Sequence, residues 1–340
     1  MLVLFFGMGC VILDLGRPDR VLNVLLHGNF TSPLLWDVTS VATYLTASTI
    51  YLFLPLIPDI AILRDRMPSR RWLYRPLALG WTGSDKQRRR LDRAIAVMAI
   101  IVIPIAVSVH TVVSWVFAMT VQPMWHSTIF GPYFVVGAIF SGIAAIIIAM
   151  AIIRKVYHLE EYLKPIHFNN LGILLLVMCL LWFYFTFAEF LTTYYGGEPM
   201  HMVIFLSKTE GKFSPLFWTM VITCFIVPFT LLANTRTRTK VWGTVLASLS
   251  VEIGMWLERF LIVVPSLSSP RLPMTAASYI PSWVEWSLFA AFISMFILLY
   301  TLFTKFFPIV SIWEIREGRE HSVNEVTTRV LSYLPEAAHE

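Results

Sequence analysis

Residues 94–134 have the sequence AIAVMAIIVIPIAVSVHTVVSWVFAMTVQPMWHSTIFGPYF. This stretch decides the fold, because it has no Asp, Glu, Lys or Arg and is long enough to cross a bilayer and start back. The chain turns over at residues 122–126. One histidine, His110, lies deep in the first apolar run, with Ser114 one helical turn further on the same face. A titratable group at that depth is costly in lipid and marks a candidate functional site.

The composition outside this stretch points the same way. Apolar residues make up 57% of the chain and charged residues 14%, with a mean hydropathy of +0.70, whereas soluble domains carry about 25% charged residues. The apolar stretches show no strand-like alternation, so we predict an all-α polytopic transmembrane helix bundle. The three cysteines are far apart, which predicts no iron–sulfur cluster, zinc or other metal on this chain. The net charge of +5 comes from loops beside the spans, so it does not indicate nucleic-acid binding.

The apolar stretches predict about seven full spans plus a partial N-terminal one. The partial one, residues 1–13, is about half the length that a crossing needs, and we expect that an upstream piece is missing. We predict one bundle over residues 1–313 and a short charged tail over 314–340. The seven full spans are predicted at residues 34–63, 94–119, 129–153, 171–194, 215–233, 241–264 and 283–307.

Basic residues concentrate in every second loop. The loop 64–93 and the residues from Lys305 onward carry Lys and Arg, so we predict that both face the cytoplasm. The loop 64–93 also carries Trp72, Tyr74 and Trp81 among its arginines. Two interpretations stay open for it: a segment lying on anionic headgroups, or an ordinary positive-inside loop.

A first set of polar groups belongs to the predicted outer half of the bilayer. Asp37 begins its helix, and Ser40 and Tyr44 follow on the same face as a polar stripe. We expect these groups to converge with His110, and with Glu189 near the outer end of its own helix, into one pocket. The loop histidines His27, His126 and His201 are predicted to be ordinary surface residues.

A second set of ionisable groups lies deeper. Glu252 and Arg259 share a helix face, Glu258 adjoins Arg259, and Asp59 lies near the cytoplasmic end of its helix. Charges survive in lipid when they face the bundle interior in pairs. Two interpretations stay open: a proton relay, or a buried Glu–Arg clamp that holds helices in register.

The histidine pattern argues against haem. A haem with two histidine ligands needs both inside the membrane, and His110 is the only histidine well inside a predicted span. We therefore expect no cofactor bound by this chain, so that any redox role depends on an electron carrier of a partner.

Several motifs carry a family resemblance along essentially the whole chain. The sequences DLGRPDR at 14–20, followed by Asn23, and SPLLWD at 32–37 resemble the NrfD/polysulfide-reductase membrane-subunit family. The sequences SVHTVVSW at 108–115, WHSTIFGPY at 125–133 and GMWLERFLIVV at 254–264 are similar to its larger members, the quinol-oxidising membrane subunits of alternative complex III. Those members have about ten helices, so the resemblance implies a missing N-terminal helix. They often carry an acid where this chain has Val116.

The resemblance implies a membrane subunit that oxidises quinol or menaquinol and passes electrons to iron–sulfur clusters on a partner, with possible proton translocation. It implies catalytic roles for Asp37 and His110. The pocket around them would be lined by Trp36, Ser40, Tyr44, Ser114 and Arg17. A proton path would use Glu189, Glu252, Glu258, Arg259 and Asp59.

The partners implied are an iron–sulfur/molybdopterin-like peripheral subunit, a multihaem cytochrome subunit, a second NrfD-like membrane subunit and membrane lipids. Three alternatives stay open. The chain could be a purely structural anchor, a proton-coupled transporter without a redox role, or the close paralogue of the quinol-oxidising subunit that lacks a demonstrated quinol site.

Overall fold

The computed structural model describes residues 1–14, 16–120, 122–269, 279–308 and 311–313, and within them the chain is helical with no strand. The predicted all-α class is therefore confirmed, and the predicted tail 314–340 lies outside the described residues. The helices are α1 (Leu2–Asp14), α2 (Asn23–Leu26), α3 (Pro33–Arg66), α4 (Arg71–Leu77), α5 (Asp85–Ala118), α6 (Phe130–Val156), α7 (Pro165–Gly196), α8 (Pro199–Thr209), α9 (Ser214–Val221), α10 (Val227–Ala233), α11 (Thr235–Arg238), α12 (Val241–Ser268) and α13 (Trp283–Phe306).

Each of the seven predicted spans coincides with helix, and six helices are long and apolar enough to cross a membrane: α3, α5, α6, α7, the run Ser214–Ala233 and α13. The seventh, α12, has 28 residues but carries Glu252, Glu258 and Arg259, which lower its hydropathy. Half of the residues of α12 are buried, so its charged residues face protein more than lipid. The N-terminal apolar helix α1 has 13 residues, as the sequence predicted for a partial span.

Local sequence signals explain where several helices begin and end. A capping box closes the start of α13, where the Ser282 side chain accepts from the backbone N–H of Glu285 and Glu285 reaches back to Ser282. Helix α7 ends at Gly197, whose left-handed backbone (φ +60°) suits glycine. A π-helical turn, Ile222–Ile226, joins α9 to α10, and such turns are frequent at sites of close packing or function.

The contacts divide the described chain into two compact units. Unit 1 contains Met1–His27, Val38–Ala106 and the described residues from Ser282 onward. Unit 2 contains Gly28–Asp37 and the described part of Val107–Pro281. The single bundle over residues 1–313 stays a prediction.

The core of unit 2 lies among α6, α7, the run from α9 to α10, and α12. It is built around fully buried Phe140, Phe168, Leu175 and Trp182. Unit 1 has a smaller core in which Ile60 and Ala61 of α3 pack with Tyr74 and Ala78 of the α4 segment. The larger core holds the polar groups described next.

Candidate functional site

Helix α3 begins with the first residues of the predicted quinol pocket. Trp36 and Asp37 lie in its first turns, and both side chains are partly buried. The Trp36 indole Nε1 donates to the carbonyl oxygen of Phe30 at 2.6 Å, which fixes the preceding loop against the helix. Ser40 and Tyr44 follow one and two turns later. The predicted polar stripe is therefore present on one continuous helix.

Arg17 is also predicted in this pocket, and the structure places it on the surface. Its side chain is 63% exposed, and Nη2 lies 3.4 Å from Oδ2 of Asp19. An exposed pair of this kind contributes little to stability. A role for Arg17 in a pocket stays a prediction.

His110 and Ser114 occupy the C-terminal half of α5, one turn apart as predicted. His110 is half-buried. Ser114 is fully buried and its Oγ donates to the carbonyl oxygen of Thr111 at 2.6 Å. Close by is Gly131 of α6, where an added Cβ would lie 3.5 Å from Ser114 Oγ. His110 and Asp37 belong to the same compact unit, unit 2.

A buried charged cluster joins α6, α7 and α12. Glu258 is 1% exposed, and its Oε1 accepts from the indole Nε1 of Trp182 at 2.6 Å. Its Oε2 lies 3.5 Å from Nε of Arg259. The guanidinium of Arg259 in turn stacks over the ring of Phe134, with Cζ 3.9 Å from the ring centroid, which is a favourable cation–π distance.

Gly137 of α6 makes room for this cluster. A Cβ at that position would lie 3.0 Å from both Nη2 of Arg259 and Cε of Met255. The cluster shows which acid pairs with Arg259: it is the adjacent Glu258, whereas the sequence left Glu252 and Glu258 as alternatives.

Three polar atoms of the predicted proton path keep unused hydrogen-bonding capacity. Within the described residues, Oε2 of Glu258, Nη1 of Arg259 and Oε1 of Glu252 are buried and have no hydrogen-bond partner. A clamp stabilises best when every polar atom is satisfied. The two carboxylate oxygens can therefore accept a hydrogen bond from water, and Arg259 Nη1, which stays protonated, can donate one.

A small polar cavity forms where α7 meets α8 and the turn before α6. Glu189, Thr186 and Lys208 line it, together with Trp125 and Tyr133. Its volume of about 30 Å³ accommodates one or two water molecules and is far too small for a quinone ring. Thr186, Glu189 and Lys208 supply polar atoms for bound water among walls that are otherwise mainly aromatic and aliphatic, so the cavity fits proton transfer better than substrate binding.

The carboxylate of Glu189 is held at the edge of this cavity. It is 7% exposed, and its Oε2 accepts from Oγ of Ser127 at 2.5 Å. The predicted outer pocket placed Glu189 with Asp37 and His110; the structure shows it lining the cavity with Lys208.

Lys208 is a candidate residue that the sequence reasoning missed. It is 6% exposed, and its Nζ lies 5.9 Å from the ring centroid of Phe190. Burial lowers the pKa of Lys208 from its ordinary value of 10.5 to about 8, and the carboxylates of Glu189 and Glu258 oppose that shift. The cavity therefore holds an amine that can exchange a proton close to neutral pH.

The reason for this omission is local. Residues 195–214 were interpreted as a loop, and the structure shows helix α8 within it. Pro199 at its first turn and the apolar run after it are helix signals. The spacing of Ile204 and Lys208, four residues apart, would have placed the lysine on the buried face.

The turn before α6 is partly buried, and of the two histidines near it only His201 is less exposed than predicted, since His126 is exposed as predicted. Trp125 is 6% exposed, and its Nε1 donates to the carbonyl oxygen of Ile262 at 2.8 Å. The rings of His126 and His201 are in edge-to-face contact, with centroids 4.9 Å apart. Only 18% of the His201 side chain is exposed, so the expectation of an ordinary surface histidine was wrong there. Burial lowers the pKa of His201, while Glu198 acts in the opposite direction.

Asp59, the remaining residue of the predicted proton path, belongs to unit 1 and is fully buried. Its two carboxylate oxygens accept from the backbone N–H groups of Ile312 and Trp313 at 3.1 and 3.0 Å. The Trp313 indole also donates to the carbonyl oxygen of Pro55 at 3.0 Å. These contacts anchor the chain beyond α13, and a proton-carrying role for Asp59 stays a prediction.

Comparisons with known proteins agree with this architecture. The putative membrane C subunit of a dimethyl sulfoxide reductase from Halobacterium salinarum is 28% identical over 151 residues, which are 42% of this chain and 32% of that protein. The C subunit of the selenate reductase from Mesobacillus selenatarsenatis is 24% identical over 90% of this chain and 75% of its own length. The Hdr-like menaquinol oxidoreductase integral membrane subunit of Archaeoglobus fulgidus is 22% identical over 88% of this chain and 71% of its own.

The first of these matches spans only about a third of that relative's length. A family model covers more of the chain than that match does. The family described as polysulphide reductase, NrfD, matches residues 1–270. This region covers most of the chain and includes all the candidate residues discussed above. Together with the six apolar spanning helices, it identifies the chain as an integral, multi-pass membrane protein that belongs to the polysulphide reductase NrfD family.

Proposed function

We propose that this chain is the quinol-oxidising membrane subunit of a respiratory oxidoreductase complex of the alternative complex III type. One observation carries the proposal: the chain is similar over 88% of its length to a membrane subunit named for menaquinol oxidation. The two relatives named as C subunits of reductases support a role inside a larger assembly. Menaquinol is the substrate that best fits these relatives.

In the proposed reaction, one quinol loses two protons and two electrons and leaves as quinone. Asp37 and His110 accept the protons from the two hydroxyls, because imidazole and carboxylate side chains are the common general bases of proteins. Trp36 and Ser114, which belong to the same unit as Asp37 and His110, line the pocket. The electrons pass to iron–sulfur clusters of a peripheral partner subunit, so that this chain binds no redox cofactor itself.

The buried groups of unit 2 form the proposed proton path. Glu258, Arg259 and Glu252 retain unbonded buried atoms, and Glu189 lies at a cavity with room for water. This supports a relay over a purely structural clamp. The assembly would include an iron–sulfur/molybdopterin-like subunit, a multihaem cytochrome and a second NrfD-like subunit, in a bacterial inner membrane with the C-terminus cytoplasmic.

The test is quinol oxidation by assembled complexes that carry Asp37→Asn or His110→Ala. Each change removes one proton acceptor, and such losses slow a step by about 10²–10⁴-fold. Glu160→Gln and His167→Ala are matched controls, because they make the same kinds of change at exposed positions and should leave turnover unchanged. Normal turnover in both site variants would refute the assignment and favour a structural anchor; proton-coupled transport without quinol turnover would favour a transporter.

A further inference from the structure

The short helix α4 is fixed firmly to the end of α13. Nη1 of Arg70 donates to the carbonyl oxygen of Lys305 at 2.8 Å, and the guanidinium lies 4.9 Å from the ring centroid of Phe306. Tyr74 is 1% exposed, and its hydroxyl donates to the carbonyl oxygen of Phe306 at 2.9 Å. These contacts are all within unit 1. These contacts hold α4 against the end of α13, so that its opposite face is exposed at the protein surface.

This segment lies where spanning helices end. It directly follows α3 and precedes α5, and it packs on the end of α13. Two large apolar side chains on it are unusually exposed, Trp72 at 78% and Leu79 at 67%. Exposed apolar side chains among arginines at the end of a span are typical of a segment in the lipid headgroup layer.

An open recess lies beside α4, lined by Arg64, Asp65, Arg71, Trp72, Arg75 and Gly80, with a volume of about 740 Å³. The guanidinium of Arg64 already has hydrogen-bond partners within the protein. Its Nε and Nη2 donate to the two carboxylate oxygens of Asp65, and its Nη1 donates to the carbonyl oxygen of Trp81. The lining therefore has three guanidinium groups against one carboxylate, and two positive charges remain without compensation.

Arg71 and Arg75 supply those two charges. They lie one helical turn apart, so they share a face of α4. Both are exposed, and within the described part of the chain neither side chain makes a hydrogen bond, although Arg71 is attracted at longer range by the carboxylate of Asp65. By contrast, Arg70 on the same segment is used to hold α4 in place. Two guanidinium groups on one exposed face suit a phosphate, because each guanidinium can bond phosphate oxygens in a bidentate way.

We propose that this recess is a specific binding site for the headgroup of an anionic phospholipid. Arg71 and Arg75 donate N–H groups to the phosphodiester oxygens, and Trp72 lies beside the glycerol and the first acyl carbons. The exposed Trp72 and Leu79 favour a lipid over an acidic protein surface, because acyl chains cover them while the phosphate meets the arginines. The site is independent of the proposed quinol chemistry.

The test is native mass spectrometry of the full-length, delipidated protein in detergent, titrated with phosphatidylglycerol or phosphatidylcholine. We expect wild type to retain phosphatidylglycerol preferentially. The double variant Arg71→Gln/Arg75→Gln should weaken that binding by about 30-fold, since each of the two basic residues near the headgroup layer contributes about fivefold. Arg89→Gln/Arg90→Gln removes the same charge from exposed positions on α5 and should change binding less than about twofold. Unchanged thermal melting of both variants shows that the fold is intact.

Three results would overturn the proposal. Equal weakening by the two double variants would show diffuse surface attraction rather than a site. Binding of soluble glycerol phosphate with the same dependence on Arg71 and Arg75, and without lipid, would replace the lipid by a free phosphate ligand. Unchanged phosphatidylglycerol binding, combined with poorer co-purification of peripheral subunits, would identify the surface as a protein interface.

Discussion

The two units of the chain differ in what they bury. Within the described residues, unit 1 buries one charged group, Asp59, and satisfies it with two backbone N–H groups. Unit 2 buries Glu189, Glu258 and Lys208 together with several hydroxyls, and leaves some of its buried polar atoms without partners. Burial alone therefore does not decide the role of a charged group: the carboxylate of unit 1 is satisfied by backbone N–H groups and anchors the chain, whereas unit 2 leaves buried polar atoms that the proposed proton path would use.

The largest expected effect comes from breaking the Glu258–Arg259 pair. Glu258→Gln leaves the partly buried guanidinium of Arg259 without its counter-charge. Removing one partner of a buried ion pair lowers the free energy of unfolding by about 3–5 kcal/mol. We expect poor assembly, measured by the yield and melting temperature of the purified protein. Asp59→Asn in unit 1 serves as the comparison, because it removes a charge and leaves one oxygen acceptor, so that one of the two backbone N–H groups loses its partner.

The double variant Glu258→Gln/Arg259→Gln separates the two interpretations of this pair. It removes both charges, so folding should recover. If the pair is a relay, as we propose, quinol turnover stays low in the recovered protein. Recovery of turnover along with folding would instead show that the pair is only a clamp.

A smaller effect is expected from filling the close contact between α12 and the π-helical turn. A Cβ at Gly254 would clash with Sγ of Cys224 and lie 2.5 Å from Oγ1 of Thr223 and 3.0 Å from the Cys224 backbone nitrogen. Gly254→Ala should therefore destabilise unit 2 by about 1–3 kcal/mol. Gly142→Ala is the matched control, because an added Cβ there meets nothing within 4 Å and helix propensity makes it neutral or stabilising. Equal melting temperatures of the two variants would contradict this packing.

The smallest expected effect is a pH dependence of the free energy of unfolding, which arises from Lys208 of unit 2. Because burial lowers the pKa of Lys208 to about 8, the unfolded state holds this proton up to its ordinary value of 10.5 while the folded state loses it. The free energy of unfolding should then rise with pH above 8, by about 1 kcal/mol per pH unit. Melting temperatures at about pH 8 and about pH 9 measure it.

Two variants isolate the contribution of this lysine. Lys208→Met should abolish the rise, whereas Lys212→Met, at an exposed position, should preserve it. A rise that survives in Lys208→Met would assign the titration to another group.

The sequence predicts the fold well because apolar length and proline and glycine signals act locally. The spans around α3, α5, α6 and α7 follow directly from hydropathy, and the capping box at Ser282 is a sequence signal for the start of α13. Helix α8 was missed because it is short and lies between aromatic and polar residues. Whether this short segment is a helix depends on its packing, and hydropathy carries no information about packing.

The candidate site was predicted in part. Spacing placed His110 and Ser114 one turn apart, and the structure has them so. Spacing could not choose between Glu252 and Glu258 as the partner of Arg259, since Gly137 and Trp182 of other helices decide it. Nor could it find the contact of Glu189 with Ser127, which are 62 residues apart. The catalytic roles of Asp37 and His110 stay predictions.

Photolabelling of the assembled complex with an azido-quinone, followed by peptide mapping, tests the proposed quinol pocket most directly. The label distinguishes that pocket in unit 2 from the largely apolar groove between α1 and α13 in unit 1, a cavity of about 540 Å³ lined by Phe6, Cys10 and Phe292. We predict labelling of the peptides that carry Asp37 and His110, suppressed by excess quinol. Label confined to the α1–α13 groove, or no label that quinol displaces, would contradict the assignment.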